Sequence, residues 1–399
     1  MKKKYLHREA EKQLERAAKQ FPAILLTGPR QAGKSTLLMH QFKGYSWASL
    51  DDLDVRAKAI NDPEYFFSLY PPPLIIDEIQ YAPDLLSYIK LRIDKNRDLK
   101  GQFVLTGSQT FQVMKGVSES LAGRIAIFDL LPLTWKEFLG ERSIPKGSKG
   151  DTLVLEKMLS GFYPELAVDP EISVSDWYKS YVRTYIERDV RDIKAITSLH
   201  DFQIFLKLLA PRAGQLLNLS EVNKEACISY STAKEWLSIL ESTYIVRLVQ
   251  PYHSNHTKRL VKTPKLYFTD TGLLCNLLNI STPNQLQGSP FLGAIFENMC
   301  VMETIKSIQY MDVPVDVYFY RNTQKQEVDL LLKSANEMHA YEIKFCKSIK
   351  PAMTEGLNVL KKDFANAKLH LVSLSEKGIG FRDIESLHWS QLPSSIPRG

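Results

Sequence analysis

One stretch constrains this chain more than any other: Gly28-Pro29-Arg30-Gln31-Ala32-Gly33-Lys34-Ser35-Thr36. It follows Ala23-Ile24-Leu25-Leu26-Thr27, an apolar run that reads as a buried strand, and precedes Leu37-Leu38-Met39, which can open the buried face of a helix. Strand, glycine-rich turn, helix is the context a phosphate-binding loop requires. Gly28 and Gly33 let the backbone curl so that its N–H groups point inward. The helix that follows adds its N-terminal dipole. In such a loop Lys34 reaches the β- and γ-phosphates of a nucleotide, and the Ser35 hydroxyl ligates Mg²⁺. A surface turn that merely contains Gly-Lys-Ser would lack the flanking strand and helix.

The remainder of the composition bounds the setting. At 399 residues the chain is long enough for two or three domains. No apolar run approaches the ~20 residues that span a bilayer. The basic start, Met1 to Arg8, leads into charged residues and not into a signal-peptide core. Cys227, Cys275, Cys300 and Cys346 form no Cys-x-x-Cys pair, so a reducing cytoplasm is expected and structural zinc is not. The net charge of +6 permits a nucleic-acid partner without arguing strongly for one.

Further along, Tyr45 to Leu50 reads as a second strand, ending in Asp51-Asp52. Leu74-Ile75-Ile76-Asp77-Glu78-Ile79 is an apolar strand that ends in two carboxylates, the form of a Walker B motif. Asp77 would hold the Mg²⁺ shell and Glu78 would polarise the attacking water. Gln102 to Thr106 is the next strand, and Thr106, Ser108 or Gln109 could sense the γ-phosphate; a plain turn is the competing reading. Arg124 stands before a fifth strand. It either neutralises transition-state charge, in its own subunit or a neighbouring one, or caps the preceding helix.

Taken in order, the phosphate loop, Ser49-Leu50-Asp51-Asp52, Ile76-Asp77-Glu78-Ile79-Gln80, Leu105-Thr106-Gly107-Ser108 and Ser120-Leu121-Ala122-Gly123-Arg124 resemble a large family. Its members are uncharacterised bacterial and archaeal AAA-type ATPases with an appended domain of unknown function. The resemblance spans nearly the whole chain. It implies a three-layer α/β ATPase core with ATP and Mg²⁺ as ligands, and it says little about biological purpose.

The middle of the chain reads as helical. Trp177 to Ile196 has apolar residues at helical spacing, with Arg183, Glu187, Arg188, Asp189, Arg191 and Asp192 opposite. That face reads as a solvated, salt-bridged surface ahead of a nucleic-acid surface. A short helix from Leu219, a turn at Ser229 to Thr232, a helix from Ala233 to Glu241 and a strand from Tyr244 to Val249 follow winged helix-turn-helix order. Wing residues His253, His256, Lys258, Arg259 and Lys262 could contact phosphates, so DNA binding and protein docking are both open.

In the last third, a helix from Phe291 to about Ile305 precedes strand-like runs at Val315 to Arg321, Glu327 to Lys333, His339 to Phe345 and Leu369 to Leu374. Asp329 sits in the second run, within Val328-Asp329-Leu330-Leu331-Leu332, where a buried carboxylate needs a reason. Glu342 and Lys344, two apart in the third, face the same side and can point at Asp329, with Glu297 approaching from the helix. Such a set can hold a divalent ion while the lysine activates water. Asp329, Glu342 and Lys344 resemble the signature of the PD-(D/E)xK nucleases, with Val328 where that signature has proline. The resemblance implies a nuclease-type fold; cleavage itself stays open.

The expected fold is α/β: an AAA-type core over residues 1–145, a helical connector over 146–212, a winged-helix-like domain over 213–275 and a nuclease-like domain over 276–399. The expected activity is Mg²⁺-dependent ATP hydrolysis serving action on or with DNA. The competing reading is a nucleotide-dependent switch that binds a protein partner, its nuclease-like domain inactive. A second divalent ion at the C-terminal site, either a homo-oligomer or a protein partner, and no membrane association complete the expectations; the oligomeric state itself stays open.

Overall fold

The structure is a computed structural model and describes residues 5–107, 117, 120–185, 198–252, 263–376 and 383–398. Ser108, Gln109, Glu187, Arg188, Asp189, Arg191, Asp192, His253, His256, Lys258, Arg259 and Lys262 lie outside the described residues. The chain divides into two compact units. The first is residues 1–133 with 163–165 and 242–244; the second is 134–162, 166–241 and 245–399.

The first unit is built on five parallel strands: β1 (Ala23–Thr27), β2 (Ser46–Ser49), β3 (Leu74–Asp77), β4 (Phe103–Thr106) and β5 (Ile125–Asp129). They lie in the order β2-β3-β4-β1-β5. Every residue of β1, β3 and β4 is buried, as befits a parallel sheet covered on both faces. Helix α1 (Ala10–Gln20) shows how the cover forms: Ala10, Leu14 and Ala17 recur on one face and are the residues it buries. Leu25, Ile76, Phe103 and Leu105 share a core with Phe66, Leu86 and Ile89 from the flanking helices. Two strand positions matter most. The phosphate-loop strand β1 and the acidic strand β3 are not neighbours, because β4 runs between them.

The second unit carries a seven-stranded sheet in the order β12-β11-β10-β9-β8-β6-β7. Its strands are β6 (Val246–Pro251), β7 (Lys265–Phe268), β8 (Asp316–Arg321), β9 (Glu327–Lys333), β10 (Met338–Ile343), β11 (Lys368–Ser373) and β12 (Ile384–His388). β8, β9 and β10 are antiparallel neighbours, and β10 pairs parallel with β11 after the helix Glu355–Asp363. That helix buries Leu357 and Leu360 against Val328, Leu331, Ala340 and Leu371. The helices Leu219–Glu225 and Tyr230–Ser242 precede the antiparallel pair β6–β7. β6 also pairs with β8, so the strand expected after these helices continues into the C-terminal sheet.

Candidate functional site

The phosphate loop forms because β1 ends against β5. Gly28 sits at φ +139°, and a Cβ there would lie 2.2 Å from the Leu130 carbonyl oxygen, so only glycine fits. Gly33 at φ +91° turns the chain into helix α2 (Lys34–Gln41) and puts no side chain over its first turn. The N–H groups of that turn face the loop with the positive end of the helix dipole. The Lys34 ammonium is buried and donates to the Gly28 and Pro29 carbonyls, 2.9 Å each. Arg8 ties the far side of the loop down: its guanidinium donates to the Ala32 carbonyl (2.7 Å) and the Leu131 carbonyl (2.6 Å). Arg30, Gln31 and Thr36 form the more exposed rim around buried Pro29 and Ala32.

Opposite the loop, Asp77 Oδ1 accepts from the Ser35 hydroxyl at 2.9 Å and from the Thr106 hydroxyl at 2.6 Å. Thr106 can do this because β4 lies between β1 and β3. Its Oγ1 also accepts the Glu78 N–H at 3.1 Å, fixing the turn after β3. Burial pushes the Asp77 carboxyl above the ordinary carboxylate range, against the hydrogen bonds from Thr106 and Ser35. Glu78 adopts a left-handed backbone, φ 60° and ψ 51°, which swings its side chain off the strand line, and the Gln80 amide donates to its Oε2. A hydroxyl beside a partly dehydrated carboxylate, next to a phosphate loop, is a fitting pair for Mg²⁺, which takes one or two protein oxygens and completes its shell with phosphate and water. Ser35 and Asp77 would hold the ion, which would neutralise charge on the β- and γ-phosphates.

Arg124 does not join this site. It precedes the first residue of β5, and Ile125 is in register with Ala23, at the start of β1. The phosphate loop leaves the other end of β1. Arg124 instead pairs with both oxygens of Asp94, Nε at 2.8 Å and Nη2 at 3.1 Å, and donates to the Ala122 carbonyl. A catalytic role for Arg124 on its own subunit's nucleotide is therefore corrected: the parallel sheet places it at the wrong edge.

The C-terminal residues do come together. Lys344 Nζ lies 2.6 Å from Glu342 Oε1 and 3.4 Å from Asp329 Oδ2. Asp329 Oδ2 also accepts the Ile343 N–H at 2.9 Å. Glu297, from the helix Leu292–Gln309, faces the same cluster and accepts from the Tyr267 hydroxyl at 2.7 Å. At the centre is a group the sequence reading omitted. Lys265 of β7 is 1% exposed, and its Nζ lies 3.0 Å from Glu297 Oε1, 2.7 Å from Glu327 Oε1 and 3.5 Å from Asp329 Oδ1. Burial opposes the Lys265 charge, but Tyr267, Glu297, Asp329 and Glu327 outweigh it and hold the ammonium well above its usual value. Burial and Asp329 push Glu297 up to about 7 and Glu342 up to about 8. Burial works against the Asp329 charge too, yet Lys265 and Lys344 keep that carboxyl below the ordinary range.

A second divalent ion does not fit these residues. Lys265 stands among the oxygens that would bind it, and Lys344 is engaged by two carboxylates. Among the described residues, no group of three or more His, Cys, Asp or Glu side chains is placed to hold a metal.

Residues 20–139 match the family described as AAA domain, residues 152–284 a domain of unknown function (DUF8612) and residues 292–392 a domain of unknown function (DUF4143). Uncharacterised proteins of Mycobacterium bovis and Mycobacterium tuberculosis are each 30% identical over 366 residues, covering 92% of this chain and 79% of theirs. The chain belongs to this family of AAA-type P-loop ATPases. An uncharacterised protein of Haemophilus influenzae is 22% identical to the ATPase over 346 residues, covering 80% of this chain and 82% of that one. Among solved structures, a Walker-type ATPase of Pyrococcus abyssi superposes with a TM-score of 0.47 at 15% identity, covering 68% of this chain and 95% of that chain. Among the described residues of the ATPase, no helix is long and apolar enough to cross a membrane.

Sequence reasoning also missed an anchor beside the phosphate loop. Tyr244 was expected to open a strand; it sits instead in a left-handed turn at φ 61°. Its hydroxyl donates to Asp129 Oδ1 at 2.5 Å and lies 2.9 Å from Thr27 Oγ1, at the last residue of β1. No local pattern signals this, because the contact joins residues more than a hundred positions apart.

Proposed function

We propose that this AAA-type ATPase hydrolyses ATP in the presence of Mg²⁺, with Lys34 and the loop N–H groups holding phosphate charge and Glu78 orienting the attacking water. The observation that carries the reading is the hydrogen bond between Ser35 Oγ and Asp77 Oδ1, 2.9 Å, supported by Thr106. It joins the two motifs across an intervening strand. Glu78 follows Asp77 directly in the chain, and its left-handed backbone sets its carboxylate at the end of β3, where it would activate water.

In finer terms, the turnover serves action on or with DNA. Two arrangements support this. Helices Leu219–Glu225 and Tyr230–Ser242 followed by β6–β7 keep winged-helix order. Helix Leu292–Gln309, then β8, β9, β10, helix Glu355–Asp363 and β11, with Asp329, Glu342 and Lys344 together, keep the order of a nuclease-like domain. One observation favours the second reading, a nucleotide-dependent switch that binds a protein partner: Lys265 neutralises the carboxylates that cleavage would need.

The test is ATP turnover with and without duplex and single-stranded DNA, in Mg²⁺ and in Mn²⁺, with the nucleic acid run on a gel afterwards. DNA-stimulated turnover is the result expected from action on DNA. Cleavage that disappears in Lys344→Ala would establish a nuclease. Turnover indifferent to DNA, with the DNA intact, would overturn the DNA reading and leave the switch.

A further inference from the structure

A buried charge in a protein is paired, or it is absent. The cluster in the second unit has four carboxylates, Glu297, Glu327, Asp329 and Glu342, and three cations, Lys265, Lys344 and Arg321. Arg321 Nη1 binds Glu327 Oε2 at 2.6 Å and Lys344 binds Glu342 and Asp329. Only Lys265 reaches three of the carboxylates at once. It comes from β7, while the carboxylates it holds come from the helix Leu292–Gln309 and from β9.

A divalent ion that bridges carboxylates sits about 2.0–2.6 Å from their oxygens. The Lys265 ammonium, 2.7–3.5 Å from the oxygens of Glu297, Glu327 and Asp329, occupies the same space. An ion entering beside it would meet a fixed positive charge in a low-dielectric site. The ammonium cannot readily withdraw, because its side chain is 2% exposed.

The geometry points to Lys265 as a built-in cation: it holds the position a divalent ion would take among Glu297, Glu327 and Asp329, and the cluster stays metal-free in the folded chain. This rests on the nuclease-like reading of residues 276–399, which is what makes a metal expected there. Its consequence is specific. The second unit keeps the arrangement of a cutting domain while its hydrolytic metal is replaced by a side chain. Removing the ammonium should turn the same carboxylates into a divalent-ion site. Glu342 Oε2, buried and without a hydrogen-bond partner, stands ready as a further ligand.

The experiment uses the intact chain without nucleotide, titrated with Mn²⁺ alone. Bound Mn²⁺ is read by electron paramagnetic resonance and folding by the melting temperature. Wild type and Lys265→Arg are expected to bind no Mn²⁺ at the cluster and to melt alike with Mn²⁺ or chelator. Lys265→Ser is expected to melt lower in chelator, to take up one Mn²⁺ ion and to regain about 5 °C on saturation. That gain should vanish when Asp329→Asn is added. A folded Lys265→Ser that takes up no Mn²⁺ overturns the inference. So does one Mn²⁺ ion in the wild type that is lost in Asp329→Asn, and this arm decides the matter even if Lys265→Ser does not fold. If the wild type binds that ion and also cuts DNA, the nuclease reading stands and only the built-in cation falls.

Discussion

Replacing Lys34 by alanine is expected to lower ATP turnover by about a hundredfold or more, the scale seen when one group that stabilises transition-state charge is removed. The ammonium is buried at the head of α2, where it donates to the Gly28 and Pro29 carbonyls. These contacts hold it beside the place where phosphate charge develops. Arg8 is not placed to replace it, being committed to the Ala32 and Leu131 carbonyls on the far side of the loop. The fold should survive, since Gly28 and Gly33 set the loop's shape through the backbone. Phosphate release and the melting temperature, measured on the same preparation, check this. Turnover within twofold of wild type would remove Lys34 from the mechanism.

The largest expected effect on stability lies at Asp270. This carboxylate is 2% exposed and gathers three donors: the Phe162 N–H at 2.7 Å, the Leu273 N–H at 3.0 Å and the Tyr178 hydroxyl at 2.6 Å. It also caps the helix Thr271–Leu277. Two glycines leave the room it needs. A Cβ on Gly161 would lie 2.3 Å from Asp270 Oδ1, and one on Gly272 would lie 2.4 Å from the Tyr178 hydroxyl. Nearby, burial pushes the Lys157 ammonium down to about 8, and Asp270 opposes that shift. Asp270→Ala takes the acceptor from the buried Phe162 and Leu273 N–H groups, the second bond being the helix cap, while the Tyr178 hydroxyl keeps the Ser160 carbonyl at 3.1 Å, so it should cost about 3 kcal/mol. Asp270→Asn, which keeps one acceptor oxygen, should cost about half as much. Urea unfolding of the intact chain measures both; a loss below about 1 kcal/mol for Asp270→Ala would mean the two N–H groups find other partners.

The strands of the first sheet, and β6 and β8 to β11 of the second, were legible because their residues are apolar in short runs bounded by turns, and β9 falls where its pattern places it, Glu327–Lys333; β7 and β12 were not assigned. The phosphate loop and the Asp77–Glu78 pair were legible because their chemistry is local. Arg124 was misplaced because strand direction was not carried through: in a parallel sheet, a residue before β5 lies at the edge away from the loop after β1. Thr106 was one candidate among three until β4 was seen to lie between β1 and β3. Lys265 carried a usable signal. It is a lone lysine opening the apolar strand Lys265–Phe268, and the argument applied to Asp329, that a buried charge needs a partner, applies equally to it. Its partners could not be read off, since Glu297 and Glu327 lie 32 and more residues further along the chain. Tyr244 gave no signal at all, because its partners Thr27 and Asp129 lie more than a hundred residues earlier in the chain, although all three belong to the first unit.

Ser35, Asp77 and Glu78 are proposed to act as one Mg²⁺-dependent hydrolytic site. Phosphate release from ATP by the intact chain tests it most directly, in Mg²⁺ and in chelator, with wild type beside Glu78→Gln. Release is expected to require Mg²⁺ and to fall about a hundredfold in Glu78→Gln while ATP still binds. Release that persists in chelator, or that is unchanged in Glu78→Gln, would contradict it.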